Sequence, residues 1–344
     1  PEVKKPKEEK PSVISGEEPT KETPQDITQR IEEVASKGVQ LSKMMAQKEG
    51  MPIANAMRQM QFNPGESRDI YNQGIELITE TLKRIKAGEP VELKEINSLI
   101  ENMVERIVLG DDELLSLTAS FNLADYLAVH SLNVTIYAIE MGLGYGYNKS
   151  KLNELGLCAF LHDVGMVKVM DIANQPRKLS EQEYNKIKEH PSYGAEILTK
   201  IKDINQSIIA VAKQHHERMN GNGYPQRLSN GQISEYSQTI SICDIYEALT
   251  HIRPYRAEMS SHEAIKKIIS INSNTFDAKN IKILIKRLGI FPVGGWVELN
   301  TGEIGRVISP NNDFPLRPTV NVMFDVDKQR YAEAKLINLN KQHS

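Results

Sequence analysis

Hydrophobic and polar positions follow three different rhythms along the chain. Residues 1–25, PEVKKPKEEKPSVISGEEPTKETPQ, hold almost no apolar side chains, too few to offset the entropy of ordering, and are expected to form a disordered tail. From DITQRIEEVASKGVQLSKMMAQ onward, and again in IYNQGIELITETLKRIKAG and LKEINSLIENMVERIVLG, apolar residues return every three or four positions, the period of an amphipathic helix. A helical region is therefore expected over residues 26–110, with Met44, Met45, Met51, Met57 and Met60 as core filler. The helical rhythm persists over 111–288, with stops at GLGYGYN, ANQPRKLS, NGNGYPQRLSNGQ and HIRPYR. Within it, Ser180 and Glu183 have the spacing of a capping box that starts a helix, and Pro191 should end that helix and push His190 out of the α region. After Pro292 the texture changes to GGWVELNTGEIGRVIS, TVNVMFDVD and YAEAKLINL, where alternating apolar residues predict a small antiparallel β barrel or sheet over 289–344. The expected fold class is mainly α, with a helical bundle between an N-terminal helical region and this β module.

Composition narrows the picture. The 344 residues are 40% hydrophobic and 25% charged, enough for one large globular domain and a smaller companion. A net charge of −3 and a pI near 6.3 provide no general field for a polyanion, so bulk nucleic-acid binding is not expected. Cys158 and Cys243 both lie in apolar runs, which suits reduced, buried thiols and a cytoplasmic location. No run of 18 or more apolar residues appears, so no membrane attachment is expected.

The chemistry lies in the histidines, of which there are eight. Neutral imidazole coordinates metals without a large desolvation cost. His162 and Asp163 stand together in LHDVG at the end of an apolar run, and the two oxygens of Asp163 can bridge two cations. Asp244 is embedded in the apolar stretch ISICDIYEALT, where an unpaired carboxylate would be costly and a cation would compensate it. The adjacent His215 and His216 can meet on one ion only where a helix ends, a terminus that Gly221 and Gly223 are expected to supply. His190 stands before Pro191, and His130 on the stretch YLAVHSLNVTIYAIEMG. His251, His262 and His343 read as ordinary core or tail histidines.

The segments HSLNV, LHDVG, EHPSYGAEIL, HHERMNGNGYP, CDIYEALT and RPYR together resemble the HD-GYP family of the HD phosphohydrolase superfamily, over about residues 111–288. The resemblance implies an all-α HD-type bundle holding two, sometimes three, metals, and hydrolysis of cyclic di-GMP to pGpG or GMP. It implies that His130, His162, Asp163 and Asp244 hold one metal, that Asp163, His190, His215 and His216 hold the other, and that Asp163 and His162 stand at the catalytic centre. It places Arg253 and Arg256 at the substrate phosphate, a role suited to the guanidinium fork. The motif loop is Gly221, Gly223, Tyr224 and Pro225, a candidate docking surface for diguanylate cyclase-type proteins, and residues 26–110 are a candidate regulatory or homodimer region. A donor set of nitrogens and carboxylates without thiolate favours iron or manganese, with zinc, nickel or cobalt as alternatives. Two such cations can ready water and polarise a phosphodiester without a serine or cysteine nucleophile.

Three positions depart from the family pattern. Met166 stands where lysine is usual after HDVG, which removes a cation near the scissile phosphate. Asn220 replaces aspartate before Gly221, keeping the shape but not the charge. Tyr126, beside Asp125, occupies the position that is glutamate in three-metal members, so two metals are expected. The leading expectation is a metal-dependent cyclic di-GMP phosphodiesterase. Its rivals are a weak or inactive receptor and interaction module, and a phosphodiesterase for another cyclic dinucleotide such as cyclic GMP-AMP.

Overall fold

A computed structural model describes residues 64–118, 126–175, 177–251, 259–271, 274–291, 293–311 and 314–339. The expected tail, the methionines 44–60, the helix beginning near Asp26, the pair Arg253 and Arg256, and His343 all lie outside the described residues.

Helix α1 (Pro64–Ala87) and α2 (Leu93–Val108) form where the three-to-four spacing predicts them. On α2 the apolar positions Ile96, Leu99, Ile100, Met103, Val104 and Ile107 make one buried stripe. Short α3 (Glu113–Leu117) leads to α4 (Tyr126–Gly144). Every residue of α4 from Leu127 to Gly142 is buried, as expected of a helix that is apolar all round and lies at the centre of a bundle. Around it pack α1, α2, α5 (Lys149–Phe160), α10 (Glu235–Thr250) and α12 (Ala278–Leu288). Between α5 and α10 run a 3-10 turn (Val164–Lys168), α6 (Met170–Ala173), α7 (Glu181–Ile187), α8 (His190–Leu198) and α9 (Gln206–Gln214). Helix α11 (Ser261–Ser270) follows α10. One apolar core runs without a break from Tyr71 on α1 to Val293. Cys158 and Cys243 are buried free thiols, and among the described residues no helix is long and apolar enough to cross a membrane.

The C-terminal segment is a four-stranded antiparallel meander, β1 (Trp296–Glu298), β2 (Ile304–Ser309), β3 (Thr319–Phe324) and β4 (Arg330–Asn338), in the order β1-β2-β3-β4. Of the two expected forms it is the open sheet, with β1 and β4 as its edges. Val307, Val320 and Val322 are buried on one face against Phe291, Val297 and Ile337.

Two local expectations differ in outcome. The Ser180 capping box is present: the Ser180 hydroxyl accepts from the Glu183 backbone N–H, and the Glu183 carboxylate accepts from the Ser180 N–H. Ser180→Ala is expected to destabilise the protein by about 1 kcal/mol, read from urea unfolding. Pro191, in contrast, sits at the start of α8 and His190 is itself helical. Proline lacks an N–H but needs none in a first turn, so it opens a helix here as well as following one.

A buried acidic group makes stability pH-dependent. Burial, followed by the neighbouring Asp111, pushes the Glu113 carboxyl up to about 7. A carboxyl raised in the folded state costs stability as pH climbs from its unfolded value near 4.5 through 7, and the cost is complete above that. Glu113→Gln is therefore expected to stabilise the protein by roughly 1–2 kcal/mol at pH 8 and by little at pH 4, in paired denaturant titrations.

Candidate metal centre

Seven side chains from distant segments converge under the bundle surface. His130 comes from the middle of α4, and Asp244 from the middle of α10. His162 and Asp163 follow the end of α5, His190 opens α8, and His215 and His216 follow the end of α9. Three ligand groups form, each with its donor atoms within 4.8 Å of one another: His130, His162 and Asp244; His190, His215 and His216; and His162, Asp163 and His215. The third joins the first two.

Asp163 spans the centre. Its Oδ1 lies 3.1 Å from His190 Nε2 and 3.9 Å from His215 Nε2, while Oδ2 lies 3.8 Å from His130 Nε2. Asp244 reaches His130 Nε2 at 3.3 Å with Oδ1 and His216 Nδ1 at 3.7 Å with Oδ2.

The backs of the imidazoles explain their aim. His162 Nδ1 lies 2.7 Å from Ala159 O, His190 Nδ1 2.8 Å from Ile187 O, and His215 Nδ1 3.0 Å from Ala212 O. In each case the carbonyl is three residues earlier, where a helix ends and leaves carbonyls without intrahelical partners. A carbonyl only accepts, so each Nδ1 carries the proton and each Nε2 presents a lone pair to the centre. His130 reaches the same state differently, through its Nδ1 and the carboxylate of Glu247.

These lone pairs test whether a cation fits. His190 Nε2 and His215 Nε2 stand 3.2 Å apart, two acceptors facing each other, and buried His162 Nε2 has no hydrogen-bond partner. While both Nε2 atoms are unprotonated this arrangement is repulsive, and a proton on His190 or a cation held by the two rings relieves it. Protonation behaves accordingly. Burial, helped by His162 and His190, pushes His215 down to about 3, and burial with His215 also holds His216 well below its ordinary value. Burial would raise Asp163, but His190, His162 and His215 hold it well below the carboxylate range. Burial disfavours charge on His130 and His190 too, yet Glu247 and Asp163 respectively outweigh it and raise both. A field that draws a proton onto those rings also draws a metal ion.

The segment after His216 folds over the centre. Tyr224 stacks on the His216 ring at 4.7 Å. Buried Glu217 accepts from the backbone N–H groups of Gln226 and Leu228, and Arg218 donates to His215 O and to Ser241 Oγ on α10. Asn220 makes a local turn by accepting from the Asn222 N–H, while its amide donates to Thr275. Helix α9 ends at Gln214 with His215 in ordinary αR geometry, so the glycines do not terminate it. They shape the loop instead: Gly221 has φ +75°, and a Cβ on Gly223 would lie 2.4 Å from Glu217 Cα and Arg218 N. Met166 lies in the 3-10 turn beside Asp163, and Tyr126 stacks on His130 at 5.9 Å. His251 is a core residue with Nε2 2.6 Å from Thr118 O.

Sequence reasoning passed over Glu247. It lies three residues after Asp244 and thus on the same face of α10, a spacing that could have flagged it as a second inward carboxylate.

The fold and this cluster define an HD domain: residues 114–279 match the model of that family, and residues 296–344 match that of a KOW domain associated with the HD domain. Within that class the chain is similar to cyclic dinucleotide phosphodiesterases. It is 28% identical over 265 residues to a cyclic di-GMP phosphodiesterase of Pseudomonas aeruginosa, covering 77% of this chain and 64% of that protein. It is 28% identical to the cyclic di-GMP phosphodiesterase PdeB of Borreliella burgdorferi, covering 64% of this chain and 56% of the relative. To 3'3'-cGAMP-specific phosphodiesterase 3 of Vibrio cholerae it is 32% identical, covering 48% of this chain and 36% of the relative. The chain thus spans less than two thirds of these relatives' lengths. An HD-GYP-type protein from Bdellovibrio bacteriovorus shares the fold, with a TM-score of 0.55, 18% identity and coverage of 68% of this chain and 73% of that one.

Proposed function

We propose that this protein is a metal-dependent phosphodiesterase that opens a cyclic dinucleotide, cyclic di-GMP in the first instance, to the linear dinucleotide. The observation carrying the reading is the ring of imidazole Nε2 lone pairs closed around Asp163. His130, His162, Asp163 and Asp244 would hold one divalent cation, and Asp163, His190, His215 and His216 a second, with iron or manganese best suited to this donor set. Bound there, the cations would supply Lewis acidity toward the phosphodiester and a low-pKa water.

The protein's own groups do the rest. The Nδ1 hydrogen bonds fix the aim of His162, His190 and His215 before any ligand arrives, so little reorganisation is needed. Tyr224, stacked on His216 and fixed through the Glu217-held loop, walls one side and limits water access. Met166 leaves the scissile phosphate without the lysine usual in the family, so charge neutralisation falls on the cations and on Arg253 and Arg256. Turnover below that of lysine-bearing members is expected.

The relatives named for cyclic di-GMP and for 3'3'-cGAMP make substrate choice a direct experiment. Protein loaded with manganese or ferrous iron should convert cyclic di-GMP to pGpG or GMP, resolved by chromatography beside 3'3'-cGAMP. Faster turnover of cGAMP would reassign the substrate. Binding of cyclic di-GMP with no product under either metal would make the protein a receptor rather than an enzyme.

A further inference from the structure

Helix α1 lies outside the matched HD domain, yet it sends the Tyr71 hydroxyl to the central helix of the bundle. Tyr71 is 6% exposed, and its O–H donates to Asn133 Oδ1 at 2.9 Å on α4. Asn133 is fully buried; its Nδ2 lies 3.5 Å from Glu247 Oε1 and 3.2 Å from His251 Nε2. His251 Nε2 is 2.6 Å from Thr118 O and so carries a proton, which leaves the Glu247 carboxylate as the acceptor for the Asn133 amide. The other oxygen of Glu247 receives the Nδ1 proton of His130.

We infer that Tyr71 is a positioning residue for the metal centre, acting through Asn133 and Glu247 on His130. An asparagine side chain can present either oxygen or NH2 to a given neighbour. A phenol donor at Oδ1 fixes that choice, turning NH2 toward the carboxylate; the carboxylate is then held with its other oxygen on His130. Partners behind a metal-ligating histidine set its tautomer, orientation and basicity, and losing one typically weakens metal binding about 10–100-fold. Among the described residues, His162, His190 and His215 are instead backed by carbonyls of their own segments. The HD domain therefore borrows part of the support of one ligand from a helix that precedes it, and the affinity on the His130 side depends on α1 being docked.

This inference rests on the reading of the cluster as a metal centre. Its test uses the full chain as wild type, Tyr71→Phe, Glu247→Gln and the double variant, each stripped of metal and titrated with manganese by electron paramagnetic resonance. Phenylalanine keeps the packed ring and removes only the hydroxyl. Tyr71→Phe should weaken manganese binding about 10-fold, Glu247→Gln at least as much, and the double variant no more than Glu247→Gln alone, because the effects share one path. Manganese affinity equal to wild type in Tyr71→Phe would overturn the inference, even with a lower melting temperature of the metal-free protein, since that is what a purely structural hydroxyl gives. Independent, multiplying effects in the double variant would overturn it too. A wild-type protein that binds manganese but leaves cyclic dinucleotides intact would remove the phosphodiesterase reading alone, while one that binds no manganese would remove both.

Discussion

Asp163→Asn is expected to empty both halves of the centre and to lower cyclic dinucleotide turnover at least about 1000-fold, equivalent to roughly 4 kcal/mol of transition-state stabilisation. The two oxygens of Asp163 face both groups, His190 and His215 on one side and His130 on the other. Asparagine keeps one oxygen but puts an NH2 where the other was, so a cation on that side would meet donor hydrogens instead of a lone pair. The substitution also deletes a buried negative charge from a nest of imidazoles, and with it the attraction for a dication. Metal content by plasma mass spectrometry, together with product formation, checks both parts. Unchanged metal content and turnover would show that Asp163 does not link the halves.

Gly165→Ala should carry the largest penalty in stability. A Cβ at this position would lie 2.0 Å from His190 O and 2.5 Å from Gly194 N. Both are backbone atoms of α8, which cannot swing away as a side-chain tip can. The 3-10 turn and α8 would have to separate, at a cost of about 3 kcal/mol or more, and the separation would draw Asp163 away from His190. Unfolding by denaturant and manganese affinity should therefore fall together. Gly231→Ala is the matched control, because nothing lies within 4 Å of a Cβ there. Equal behaviour of the two variants would show that the turn has slack.

The contrast between these two glycines illustrates which features were legible in the sequence. Local periodicity read well: the stripes of α1 and α2, the apolar α4 and the turns between them follow from spacing and turn chemistry that each segment carries within itself. The side chains that the fold gathers at the candidate metal centre were also visible in the sequence, as His, His–Asp and His–His near successive helix ends. What did not read was anything set by contact across the chain. Gly165 resembles a turn glycine until α8 is seen against it. Pro191 reads as a stop, although it also opens the next helix. Gly221 and Gly223 look like helix terminators, whereas the helix ends earlier and they serve the loop that Glu217 pins. Glu247 partners a histidine 117 residues away, a pairing that no local pattern encodes.

The three histidines that lean on the carbonyl three residues behind them differ from His130 in how they tolerate mutation. Every amino acid has a main-chain oxygen, so replacing Ala159, Ile187 or Ala212 by another residue that fits its site leaves the aim of the adjacent imidazole intact. The aim of those candidate ligands is, in effect, encoded by chain geometry and is robust to drift at the supporting position. His130 has no such immunity. Its support is a particular side chain on another helix, so variation there changes the centre while all seven ligands remain in the sequence.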